Sequence, residues 1–260
     1  MVQWFNGLIV NGSMVNKMKR IAAVLFILCF CKCSTRNSES LVTENVDTLE
    51  SINMVEKLYL PEGFVLDTFQ IFDTSRNLEI SIYIPISNIK EIDNIVKSSI
   101  EVHKNEFIKS LDEMIKEDKY LMTSALNSDF CVSPISIYKD EKIISYSFGI
   151  YYYHATAPHG MSLFHSFNFD AKTKKQIYFD DYFLVKSNVA DTNFFTHIIT
   201  KSINREGIFL HKLYDLDFNI EKDTISFNFS DYEIASYAEG FIQAKIHKKE
   251  LYNKIRTNYR

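Results

Sequence analysis

Histidines at positions 154, 159 and 165, with aspartates at 170, 180 and 181 just downstream, are the residues whose types best fit chemistry. Imidazole nitrogen is a good zinc ligand and exchanges protons near neutral pH. His154 and His159 bracket the turn HATAPHG, in which Pro158 fixes one backbone torsion and Gly160 admits a positive one. His165 belongs to the segment that follows. A zinc site would draw on His154, His159 and His165, yet the spacing places two of them across a turn and requires no third. The competing reading is a structural corner shaped by His159 and Gly160, with the other histidines bonded to backbone. Paired acids invite a glycosidase, which sets two carboxylates across one sugar bond. Asp180 and Asp181 are adjacent and would point to opposite faces of a strand. Asp231 and Glu233 would share a face, but in a turn-like segment where capping is the ordinary duty of acids. HExxH, GxSxG and a glycine-rich phosphate loop are all missing from the sequence, and no CxxC occurs beyond residue 33. We expect no catalytic residue and no cofactor; a metal- or carboxylate-dependent cell-wall hydrolase is the alternative.

The elements that position these residues are legible from periodicity. Tyr146, Phe148, Ile150 and Tyr152 recur every second residue, as do Leu163, His165, Phe167 and Phe169 after the turn, and QIYFDD (176–181) reads as a third short strand. Upstream, 63–72 and 78–86 alternate around the turn formers DTSRN, a hairpin pattern. Ile92, Val96, Ile100, His103, Phe107 and Leu111 fall at three- and four-residue steps, giving one helical stripe that Asn88 would cap. Phe194, Phe195, Ile198 and Ile199 mark a second helix over 189–204, with Asp191 as its cap. Strands follow at 225–229 and 240–246. The expected fold is α+β, an antiparallel sheet meander packed against two long helices.

The chain has 46% apolar and 24% charged residues, a globular composition, with Phe 21 and Tyr 15 favouring sheet. Residues 1–32 hold Lys17, Lys19, Arg20 and Lys32 and no acid, so all 33 acidic side chains lie downstream. An acidic body argues against nucleic acid as a partner. Met18-Lys19-Arg20 followed by IAAVLFILCF reads as the basic and apolar regions of a signal sequence, about half the length of a membrane span. The cysteine cluster that ends it resembles a bacterial lipoprotein site, with Cys33 the lipidated residue and Cys31 the alternative. Residues 1–33 are then expected to be a leader, with 1–17 upstream of the true start at Met18, and 34–57 a polar, acidic tether. The expected location is the bacterial cell envelope, extracytoplasmic on the outer-membrane or periplasmic face, held by a lipid anchor only. Cys131 stands alone in the body and reads as a small buried apolar residue.

Two stretches carry a resemblance. YYYHATAPHGMSLFHSFNFDAKTKKQIYFDDYF and TISFNFSDYEIASYAEGFIQAKIHKKEL are similar to the domain of unknown function 3298, the RsiV-type extracytoplasmic family. The second stretch matches its closing element through Phe229, Tyr232, Glu233, Ile234, Tyr237, Ala238 and Gly240. The resemblance implies a family-like domain over 129–260, with a strand-helix module over 58–128 before it. It also implies a recognition module at the envelope whose partner is a lysozyme-like protein or peptidoglycan. The candidate binding surface is then His154, Pro158, His159, Gly160, Tyr232 and Tyr237, with no metal.

Overall fold

The computed structural model describes residues 59–260 except 125, 187, 209 and 211, and these described residues belong to one compact unit. The leader, the tether and the cysteines at 31 and 33 lie outside the described residues. Alternation at the start builds the expected hairpin, β1 (Val65–Asp73) and β2 (Leu78–Ile86), antiparallel around the 73–77 turn. Asp73 caps that turn by accepting from the Ser75 amide at 2.9 Å and pairing with Arg76. Then comes α1 (Lys90–Glu117), 28 residues long. Its first turn departs from expectation. Asn88 takes a left-handed φ of 62° and donates to the Gly63 carbonyl, while Asp93 accepts from the Ser87 amide and hydroxyl. The N-cap position is Ile89, without a side-chain cap.

From α1 the chain runs into β3 (Ser128–Lys139), β4 (Ile143–Tyr153) and β5 (Met161–Asp170). The five strands form one sheet in sequence order, antiparallel throughout except for β2 and β3, which pair in parallel. A parallel pair needs a crossover, and α1 supplies it. The boundary expected at 128/129 therefore sits at the start of β3, whose neighbour β2 comes from the other side of it. The predicted third meander strand reduces to one bridge, Phe169 to Gln176, followed by a single helical turn, α2 (Phe179–Tyr182). Tyr178 N–H donates to Asp181 at 3.0 Å there, so the aspartate closes a helical turn where a strand was expected. Next, α3 (Val189–Ser202) is capped by Asn188, which accepts from the Asp191 amide; Asp191 itself is buried, accepts from the Lys186 amide and pairs with Lys254. A second, three-stranded antiparallel sheet completes the chain: β6 (Asp217–Ile220), β7 (Thr224–Phe229) and β8 (Ile242–His247). The C-terminal residues form one-turn 3-10 segments.

The fold is thus mixed α+β with mostly antiparallel sheet. Of the two long helices expected, one runs 28 residues and the other only 14, and a third has 4. Two apolar cores flank the sheets from outside. Ile92, Val96, Ile100, Phe107 and Leu111 of α1 pack on Ile80, Ile82, Val132 and Phe148 of the first sheet. Phe195 and Ile199 of α3 pack on Ile225, Phe227 and Ile246 of the second. Each fully buried side chain of this kind contributes about 1.5–3 kcal/mol. The layer order is helix, sheet, sheet, helix, and what lies between the sheets is mostly polar, with Phe164 packed on Phe241 at one end.

Candidate functional site

The face of the first sheet turned away from α1 carries Ser145, Ser147, Ser166 and Asn168 on β4 and β5. The second sheet turns Asp217, Asn219, Ser226 and Asn228 toward them. Asn168 is buried; its amide donates to the Phe218 carbonyl at 2.8 Å and its oxygen accepts from Ser145 Oγ at 2.8 Å. Ser145 Oγ accepts in turn from the Ile220 amide at 2.9 Å. Asp217 accepts from the Ser166 amide at 2.7 Å and from Asn228 Nδ2 at 2.8 Å. Gln243 Nε2 donates to Asn228 Oδ1 at 2.9 Å. Further along, Ser230 Oγ accepts from the Phe164 amide and Asp231 from the Ser162 amide, at 3.0 and 2.7 Å. Alternate amides of β5 that would form an open sheet edge are thereby capped by side chains. Burial holds the Asp217 carboxyl above its ordinary range, against the hydrogen bonds that favour its charge.

Asp231 fixes the next part of the chain twice, since its own amide also donates to the Ser162 carbonyl at 3.1 Å. Immediately after it, Tyr232 takes a left-handed φ of 64°, a conformation that costs a non-glycine residue about 1 kcal/mol. Its ring is 55% exposed. The Gly160 carbonyl, 2.8 Å from His159 Nδ1, can only accept, so Nδ1 carries the proton and Nε2 is free to accept from the Tyr232 hydroxyl at 3.3 Å. Tyr237 stacks on His159 with ring centroids 3.9 Å apart, and Tyr232 and Tyr237 lie 5.9 Å apart at 26°. Tyr237 opens a 3-10 turn closed by Ser236 and Glu239, and Arg205 beside Glu239 holds that carboxyl below its usual range. Gly160 is closely packed in this corner: a Cβ there would stand 2.3 Å from the Tyr151 ring and displace it.

The structure therefore gathers His159, Gly160, Tyr232 and Tyr237, with exposed Pro158 beside His159 in the chain, into one aromatic corner. His154 goes elsewhere. Its ring stacks on Phe107 of α1 at 4.6 Å, with Nε2 3.5 Å from Ser110 Oγ. His165 points to the helix side as well, 2.8 Å from Ser99 Oγ and edge-on to His103 at 4.9 Å. Burial, and then its histidine neighbour, push His165 down to about 4, and burial lowers His103 and His154 too. Among the described residues no three His, Cys, Asp or Glu side chains are grouped to hold a metal ion. Asp180 and Asp181 sit in α2, where Asp181 closes the turn. Cys131 is half-buried, its sulfur 3.6 Å from Ser133 Oγ.

Sequence reasoning passed over two groups. The polar seam is foreshadowed by Ser and Asn alternating with aromatics in 145–148, 166–169 and 226–229, a pattern equally consistent with a solvated face. Glu79 and Asp129 become neighbours only through the parallel register of β2 and β3. Burial and the charge of Glu79 push Asp129 up to about 6.

Comparisons with known proteins agree with this architecture. No curated protein matches the chain. The family described as "Protein of unknown function (DUF3298)" matches residues 168–249, from the end of β5 through β8. A DUF3298 family protein from Pseudomonas aeruginosa PAO1, solved by crystallography, is similar with a TM-score of 0.54 at 11% identity, covering 76% of this chain and 96% of that one. A member of the family from Bacteroides fragilis NCTC 9343 is similar with a TM-score of 0.52 at 17% identity, covering 75% and 94%. The Asn168 seam, the Asp231 anchor and the Tyr232–Tyr237 corner all fall in or against the segment 168–249, which matches the DUF3298 family.

Proposed function

We propose that this chain is a non-catalytic recognition protein, held in a bacterial cell envelope on the outer-membrane or periplasmic face by a lipid on Cys33, or on Cys31 as the alternative. The aromatic corner is its binding surface. The observation that supports this most is Tyr232: an exposed aromatic ring, placed by an unfavourable backbone conformation and oriented by His159. Strain of that kind persists where the surroundings over-determine it, and a fixed ring loses little entropy on binding. The 33 acidic side chains, all beyond residue 32, favour a basic partner through electrostatic steering, and a lysozyme-like protein has that chemistry. Peptidoglycan is the second ligand this surface suits, since sugar rings stack on aromatic faces.

Calorimetric titration of the purified protein with lysozyme and with muropeptides tests the reading. Binding that falls at least tenfold in Tyr232→Ala and Tyr237→Ala is expected. Absence of binding to both at about 100 µM, a range in which an interface of standard size is normally detected, would sink it. Clearing of cell-wall suspensions would instead move the protein to the hydrolase class. Comparing Cys33→Ala with Cys31→Ala for lipid incorporation identifies the anchored residue.

A further inference from the structure

At the end of the first sheet far from the seam, the same open face carries the row Phe72, Glu79, Asp129, Tyr153, one residue from each of β1 to β4 in register. Two carboxylates stand side by side between two aromatic rings. No hydrogen bond or ion pair from a described residue reaches Glu79 or Asp129, although Asp67 and Asp73 on the same hairpin are each paired with a cation. Phe72 is 52% exposed, and a groove lined by Gln70, Phe72 and Glu79 opens beside it. Next to this row runs the outer edge of β1. Among the described residues nothing pairs with it, and it contains no proline and no lysine, the usual guards of an exposed edge. The two faces of β1 differ. Toward the open face it presents Thr68, Gln70 and Phe72; toward the α1 side it leaves Val65, Phe69 and Ile71 about half exposed.

We propose that the β1 edge takes up an extended segment of a partner polypeptide whose residues alternate basic and apolar. It adds a strand, with its lysine or arginine side chains crossing Phe72 to Glu79, while Asp129 one strand further on adds to the negative field. Main-chain hydrogen bonds to an unpaired edge supply affinity, and alternate side chains supply specificity. A cation passing over Phe72 gains from the ring and then from a charge-assisted bond to Glu79. The apolar residues of the same segment meet Phe69 and Ile71 on the other face. The raised Asp129 fits this: burial first, and then the charge of Glu79, hold it up, and no cation among the described residues offsets them. A second copy of this chain is a poorer occupant: antiparallel pairing of two β1 strands about Phe69 sets Asp67 against Ile71 and Asp73 against Val65 and supplies no cation. This surface is separate from the aromatic corner and does not depend on its role.

The test uses the full chain and a ten-residue peptide alternating valine and lysine, titrated by fluorescence anisotropy at pH 7.5 and low salt. Saturable binding is expected, at least tenfold weaker in Glu79→Gln, about threefold weaker in Asp129→Asn and unchanged in Tyr232→Ala. Backbone amides of residues 65–73 should gain protection from hydrogen exchange. A valine–glutamate peptide, and the lysine peptide N-methylated on alternate residues, should not bind. Affinity should rise from pH 5 to pH 7.5 as Asp129 ionises. Binding of both charge types alike, binding indifferent to the two carboxylate variants, or none at millimolar peptide would overturn the proposal. So would a concentration-dependent dimer that already protects these amides.

Discussion

One face of one sheet behaves in two ways in this protein. At the β5 end, Ser145, Ser166 and Asn168 meet the polar side of a second sheet, and both bonding sides of Asn168 are satisfied. At the β1–β3 end, Glu79 and Asp129 occupy equivalent positions on the same face, and among the described residues their carboxylates find no partner. The residue types are comparable; the neighbours are not. A buried polar group with its bonds made rigidifies a fold, whereas an unmade one costs stability and has to be explained by something else it does. Sheets usually pack through apolar faces. Here the apolar faces point outward to helices, and the two sheets are joined by a side-chain hydrogen-bond lattice that depends on exact pairing of donors and acceptors.

The largest break in that comparison is Asn168→Ala. It strands the Phe218 carbonyl and the Ser145 hydroxyl in a buried layer, and we expect a loss of about 3 kcal/mol in urea unfolding. The helix-covered side gives the next effect, through pH. His165 is held near 4 in the folded protein against about 6.5 in the unfolded chain. Between those values the unfolded state binds more protons, so stability falls as pH falls, by roughly 2 kcal/mol at pH 5. The raised Asp129 and Glu233 act in the opposite sense over the acid range, so the difference between wild type and His165→Gln isolates the histidine. At the open end, Asp129→Asn removes an uncompensated charge and should stabilise the fold at pH 7.5 by about 1 kcal/mol once solvent screening is allowed for. The smallest change is Tyr232→Gly, which relieves a left-handed backbone. We expect unfolding midpoints within about 0.5 kcal/mol of wild type, either side, together with loss of binding at the corner.

Much of this fold was legible because its signals are local. The β1–β2 hairpin follows from alternation around DTSRN, and α1 from the stripe Ile92 to Leu111. The corner at His159 follows from Pro158 and Gly160, although Gly160 takes no positive φ and instead leaves room for the Tyr151 ring. What escaped is non-local. The parallel pairing of β2 with β3 joins segments separated by a 28-residue helix, and only that register brings Glu79 to Asp129. The 176–181 segment carries a strand-like pattern, yet Phe179 and Tyr182 are both buried when the chain turns once as a helix and Asp181 closes it. Histidines close in sequence were candidates for one site. Strand alternation sent His165 to the α1 face beside His103, while His154 stacked on Phe107 and His159 on Tyr237.

The difference between satisfied and unsatisfied ends of one sheet face is most directly tested by urea unfolding of Asn168→Ala and Asp129→Asn side by side at pH 7.5. Opposite signs are predicted, with the midpoint lowered in the first and raised in the second. If Asp129→Asn is destabilised like Asn168→Ala, the open end is a structural layer like the seam, and the account of it as a binding surface is wrong.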